Sequence, residues 1–114
     1  MIRTGHAPSS LRDPGLLAGA LARPRNRAHY EQIDLIEQAS TLIVAVAKAH
    51  PFIDGNKRTA MQLGIQFLDI NGLEFTGDSE LLAVLVEESV EMTSHDDGIV
   101  HIDQWLRLFI QSGH

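Results

Sequence analysis

Apolar positions in this chain recur mostly three and four residues apart, the spacing of helices with one buried face. Asp13-Pro14 reads as a helix start, with Asp as N-cap and Pro at the first helical position. Leu16, Leu17, Ala20 and Leu21 form a short apolar stripe, and Pro24 is expected to end it. Residues 24–29 then read as a basic connector. A long helix is predicted from about 30 to 49, carried by Ile33, Ile36, Leu42, Ile43, Val46 and Ala47, with Tyr30 packing at its start. Its second half is apolar on almost every side, which marks it as the central, buried helix. His50-Pro51 breaks it, because a residue before proline disfavours helical angles.

The stretch 52–56 is a loop around the turn signal Asp54-Gly55. The next helix is predicted from Asn56 or Lys57 to Ile70, with Leu63, Phe67, Leu68 and Ile70 inward. Asn71-Gly72 stops it, as a left-handed C-cap would. Leu73-Glu74-Phe75 suits a short extended piece. Ser79 is expected to cap a helix through Met92, residues 95–98 to form a loop, and residues 102–110 to form a last helix. In that helix Trp105 joins Ile102, Leu106, Phe109 and Ile110 in the core. The fold class expected is all-α: one domain over residues 1–114, with five or six helices and loose order in the first ten residues.

Composition narrows the chemistry. A chain of 114 residues buries roughly two-thirds of its unfolded surface, enough for one core. The absence of cysteine excludes disulfides and thiolate metal sites. The longest apolar run, 42–47, is about a quarter of the roughly 20 residues a membrane span needs. Residues 1–6 lack the apolar core of a signal peptide. A soluble, unexported, cytoplasmic protein without a membrane partner is expected. The net charge of −6 argues against direct nucleic-acid binding, which relies on Lys and Arg to neutralise phosphates.

The charge is uneven. Arg3, Arg12, Arg23, Arg25 and Arg27 lie in the first 27 positions, whereas Arg107 is the one base after Asp69. The plain reading is a solvated acidic face. The sharper one is that the basic segment meets an acidic partner or a phosphate. His95, Asp96, Asp97 and His101 sit in a polar stretch and are read as structural rather than as a metal site.

Chemistry concentrates in residues 50–59. A helix N-terminus presents unpaired N–H groups and partial positive charge, a ready site for phosphate. Gly55 lets backbone approach a ligand closely, and Asn56 adds an amide donor. Lys57 and Arg58 oppose the helix dipole, a conflict that a bound anion would relieve. Asp54 offers a carboxylate for Mg²⁺, which is commonly held by one or two carboxylates plus substrate phosphates. His50 is placed to take a proton from an attacking hydroxyl. Singly, each residue has a structural explanation as a helix cap, a turn or a solvated pair, and spacing alone leaves both readings standing. A Walker P-loop is rejected, since His50 stands where its first Gly belongs and Asn56 separates Gly55 from Lys57.

His50, Phe52, Asp54, Gly55, Asn56, Lys57 and Arg58 match the pattern His-x-Phe-x-Asp/Asn-Gly/Ala-Asn-Lys-Arg. By that motif the chain resembles the Fic/Doc family, and within it the death-on-curing (Doc) branch of toxin–antitoxin systems. Softer agreement runs from 11–17 through Tyr30-Glu31 to Asn71-Gly72. The resemblance implies a compact helical domain with its active-site loop between the two central helices. His50 would activate an acceptor hydroxyl, Phe52 anchor the loop, and Asp54 position Mg²⁺. Gly55 and Asn56 would cradle the anion, and Lys57 and Arg58 would hold the phosphates of ATP.

Two branches are implied. One transfers AMP to a protein hydroxyl. The other, Doc-like, transfers the terminal phosphate to a protein such as translation factor EF-Tu and arrests growth. Lys57 replaces a Gly of the AMP-transferring pattern, and Met61 replaces its second Arg, a phosphate clamp that Met cannot supply. Both favour the kinase-like branch. A third reading is a non-catalytic module that binds an antitoxin.

The N-terminal element with a His-Asp pair that Doc relatives usually carry is not expected ahead of Gly5-His6. The family's inhibitory pattern Ser/Thr-x-x-x-Glu-Gly/Asn is met in part by Thr76 and Glu80, but Leu81 follows, so Thr76 is read as structural. Inhibition is expected in trans, from an antitoxin helix in an apolar groove. The segment 23–27 resembles in position the family's substrate-docking flap.

Overall fold

The first helix passes through the proline expected to stop it. The computed structural model describes residues 13–49 and 55–112, so His50, Phe52 and Asp54 lie outside the described residues, as do the first ten positions. Helix α1 (Pro14–Glu31) is capped as expected, with the Asp13 carboxylate accepting the Gly15 and Leu16 N–H groups at 2.9 and 3.2 Å. An internal proline removes a backbone hydrogen bond and crowds the carbonyl four residues back, a penalty of about 3 kcal/mol. Here Pro24 is buried together with Ala20, one turn before it, and packing of α1 on the rest of the protein offsets that penalty. The basic connector is therefore helical. The helix ends where Gln32 takes left-handed angles (φ 57°, ψ 42°) and its N–H reaches the Ala28 carbonyl at 3.1 Å. Tyr30, expected to pack at a helix start, sits at this end and is 81% exposed.

The long helix expected from 30 to 49 is thus two helices. Residues 32–34 separate α1 from α2 (Leu35–Ala49). The Asp34 carboxylate accepts the Glu37 N–H at 2.9 Å, an N-cap contact that the Asp34-x-x-Glu37 spacing announces. Residues 39–47 are all buried, which makes α2 the central helix as expected. Its buried Ser40 and Thr41 hydroxyls bond the carbonyls of Ile36 and Glu37 at 3.0 and 2.8 Å, so neither is left unsatisfied.

Helix α3 (Asn56–Ile70) packs against α2 through Ala60, Gly64 and Leu68, one residue per turn. Leu63 and Phe67 are half-buried against the core, but Ile70, expected inward, is 82% exposed. Gly72, at φ 82°, supplies the left-handed stop. Strand β1 (Leu73–Phe75) follows. Helix α4 (Ser79–Glu91) is capped by Asp78, one residue before the expected Ser79. Its Leu82 and Val86 enter the core.

The expected loop at 95–98 is instead the first turn of α5 (His95–Leu106), capped by Ser94, whose hydroxyl accepts the Asp97 N–H at 3.1 Å. Asp96 and Asp97 suit this positive helix end. His101 therefore lies within the helix. The last helix ends at Leu106, not 110. A 3₁₀ turn (Arg107–Phe109) leads to strand β2 (Ile110–Ser112), which pairs antiparallel with β1, Phe75 opposite Ile110. Trp105 is half-buried against the core and stacks at tilted angles on Phe75 and Phe109. Thr76 donates its hydroxyl to the Phe109 carbonyl at 3.0 Å, which fits its structural reading. The architecture is all-α, with five helices and one small strand pair among the described residues. None of these helices is long and apolar enough to cross a membrane.

Candidate active site

The two central helices hold the ends of the segment singled out from the sequence. Helix α2 ends at Ala49, and α3 is preceded by its N-cap, Gly55. Gly55 adopts φ 76°, ψ 19°, a left-handed conformation that side chains make strained. An N-cap normally has extended angles. The turn into α3 is therefore one that glycine permits. The first helical bond runs from the Thr59 N–H to the Gly55 carbonyl at 2.9 Å.

Asn56, Lys57 and Arg58 make up the first turn of α3, which holds no acidic residue. Local positive charge is thus concentrated at the positive end of a helix. Arg58 is exposed and makes no ion pair among the described residues. The Lys57 ammonium lies 3.7 Å from the Glu87 carboxylate of α4, with the Lys57 side chain 44% and the Glu87 side chain 64% exposed. Such a pair is worth about 0–1 kcal/mol. It orients Lys57 loosely and leaves it available to a stronger anion. Behind this turn, Ala60 is fully buried and Met61 packs against the core. Met61 thus serves the helix interface.

A family model described as the Fic/DOC family matches residues 1–68, which include α1, α2, the loop and nearly all of α3. The chain belongs to the Fic/DOC family. It is 39% identical over 85 residues to "Protein kinase doc" of Escherichia phage P1, covering 74% of this chain and 67% of that protein. It is 37% identical over 75 residues to "Toxin Doc" of Mycolicibacterium smegmatis, covering 62% of this chain and 56% of that one. This Fic/DOC chain thus spans about two-thirds or less of those relatives' lengths.

Of the expected site residues, Gly55, Asn56, Lys57 and Arg58 are brought together at one helix end. His50 and Asp54 lie outside the described residues. No group of three or more His, Asp or Glu suited to a metal occurs among the described residues.

Sequence reasoning missed two features nearby. Arg27 is not part of a free flap. Its guanidinium is held by the carboxylates of Glu31 (2.9 Å) and Glu37 (2.7 Å) and the Thr41 hydroxyl (2.7 Å), tying α1 to α2. The hydrogen bond to Glu31, opposed in part by burial, holds the Arg27 pKa above its ordinary value. The Arg27–Glu31 spacing of four was the available signal. The second feature is the partner of Lys57 on α4, for which no local signal exists.

Proposed function

We propose that this Fic/DOC chain is a Doc-like toxin enzyme that transfers the terminal phosphate of ATP to a protein hydroxyl. The observation that carries this reading is Gly55 at φ 76°, opening a helix whose first turn is Asn56-Lys57-Arg58. This combines backbone N–H groups, helix dipole and two cations where a polyphosphate would sit. In the reaction, the acceptor oxygen attacks the γ-phosphorus. The bond to the β–γ bridging oxygen breaks, ADP leaves, and His50 takes the hydroxyl proton. Asp54, with the nucleotide phosphates, would hold Mg²⁺, which neutralises phosphate charge when bound. The chain's own part is to anchor the phosphates through Gly55, Asn56, Lys57 and Arg58 and to leave the terminal group facing the acceptor.

The acceptor class is a translation factor of the EF-Tu type, with growth arrest as the outcome. Restraint would come from an antitoxin helix supplied in trans. The relatives named as a protein kinase and as a toxin support this reading.

The test is incubation with Mg²⁺, EF-Tu and ATP labelled at either the α or the γ phosphate. Label transferred from the γ position alone is expected, and transfer from the α position would overturn the assignment in favour of AMP transfer. No transfer, with an antitoxin peptide still bound, would mark a non-catalytic binding module. In the γ assay His50→Ala is expected to abolish transfer with the fold intact.

A further inference from the structure

A second concentration of positive charge lies on the other flank of α2. There a cavity of about 370 Å³ opens between α1, α2 and the start of α5. Gly15, Gly19 and Arg23 of α1 line it on one side, Lys48 and Ala49 of α2 on another, and His95 of α5 closes it. Its volume falls in the range of small-molecule sites.

The chemistry of the lining is one-sided. Arg23 and Lys48 make no ion pair with any carboxylate among the described residues. The Lys48 ammonium donates one hydrogen bond, to the Met92 carbonyl at 2.6 Å. That bond fixes the head group at the junction of α4 and α5 and leaves two of its three donors for another acceptor. Arg23 is exposed and brings a planar fork suited to oxyanions. The α1 wall is open at exposed Gly19, where an added Cβ would meet no atom within 4 Å.

The three groups act on one another. Burial, then the charges of Arg23 and Lys48, hold the His95 pKa below its ordinary value, and Asp96 alone pulls it up. Two cations beside an imidazole, with Asp96 the one opposing charge, are an arrangement that a bound anion relieves.

We infer that this cavity is a second anion subsite, which takes a phosphate group between Arg23, Lys48 and His95. It is formed by residues other than those at the start of α3, and it stands whether or not the loop transfers phosphate. It shares the last turn of α2 with that loop, through Lys48 and Ala49.

The test follows the His95 ring resonances by NMR during titration with inorganic phosphate, and separately with AMP, at fixed pH and chloride-matched ionic strength. Saturable movement of the His95 signals with at least one probe is expected. Movement with inorganic phosphate marks a site for a free or terminal phosphate; movement with AMP alone marks a nucleotide's phosphate. Arg23→Gln, on an exposed position, is expected to weaken binding by roughly tenfold, the scale of one charge-assisted hydrogen bond. Gly19→Leu, which puts a bulky side chain into the open space on the α1 wall, is expected to abolish it while the fold persists. Lys57→Ala, at the other site, is expected to leave the His95 response unchanged. The proposal is overturned if neither probe moves His95, or if Arg23→Gln and Gly19→Leu respond as the wild type does.

Discussion

Replacing Gly64 by alanine tests the packing that holds the candidate site. Gly64 is buried on α3 and faces Ile43, a fully buried residue of α2. A Cβ at Gly64 would lie 2.5 Å from Ile43 Cγ1 and 2.6 Å from its Cδ1. Ordinary carbon–carbon contact is about 3.5–4.0 Å, so roughly 1 Å of movement is needed. The Cδ1 methyl can swing, but Cγ1 is bonded directly to the Cβ of a β-branched side chain with restricted χ1. The strain must therefore pass to the backbone of α2 or α3. Overpacking of this kind costs about 1–3 kcal/mol, and the helix-propensity gain of Gly→Ala returns up to about 1 kcal/mol. A net loss of about 1–2 kcal/mol is expected. In a domain near this size, each 1 kcal/mol corresponds to about 4–8 °C in Tm.

Gly19→Ala on α1 is the internal control. Its Cβ meets no atom within 4 Å, so the propensity gain of about 0.5–1 kcal/mol should appear as increased stability. Urea unfolding of the two variants gives both signs in one assay. Ile43→Val, which removes the Cδ1 carbon, should recover part of the loss in the Gly64→Ala background but destabilise the wild type. If Gly64→Ala is as stable as the wild type, the reasoning that α2 and α3 need glycine at this crossing is wrong.

Arg27→Ala removes the α1–α2 tie and should lower stability by about 1–3 kcal/mol in urea unfolding; Arg27→Lys should recover only part, because an ammonium cannot fork between two carboxylates. The hydrogen bond from Arg107 holds the Asp34 carboxyl below its ordinary range. A depressed folded pKa means this contribution is present at neutral pH and lost as pH falls through the carboxylate range. Arg107→Gln should therefore flatten the acid limb of the stability curve, slightly, because Asp34 is largely exposed, and an unchanged limb would refute the linkage. Lys57→Gly should reduce γ-phosphate transfer and admit AMP transfer, with little stability change; retained γ-transfer would remove Lys57 from the branch choice. Glu87→Gln should lower KM for ATP by up to about fivefold, since it frees Lys57, and a raised KM would show that Glu87 presents Lys57 rather than competing for it.

What the sequence disclosed depended on how local the cause was. The Asp13-Pro14 start, the Asn71-Gly72 stop and the apolar stretch of α2 all act within one or two turns, and each was legible. Pro24 misled because the effect that outweighs its penalty is burial against a partner helix. The 95–98 stretch looked like a polar loop, although Ser94 followed three residues later by Asp97 makes a workable helix start. The last helix stops short of 110 because β2 exists only as the partner of β1, about 35 residues earlier at the Phe75–Ile110 pair, which helical spacing in 102–110 cannot reveal.

The candidate site divides the same way. Gly55 was legible because a left-handed entry to a helix is a demand on one residue, and the cations after it follow in sequence. The charge balance around those cations was not legible, because Glu87 reaches Lys57 from α4, across the fold. That distinction bears on mechanism. A cradle defined by local backbone is set before any ligand arrives, whereas a lysine resting on an exposed carboxylate must exchange one anion for another. Only the first kind of contact is organised in advance. Binding of phosphate at the α3 terminus should therefore depend chiefly on the Gly55 turn and the helix end, with Lys57 deciding how the bound group is oriented.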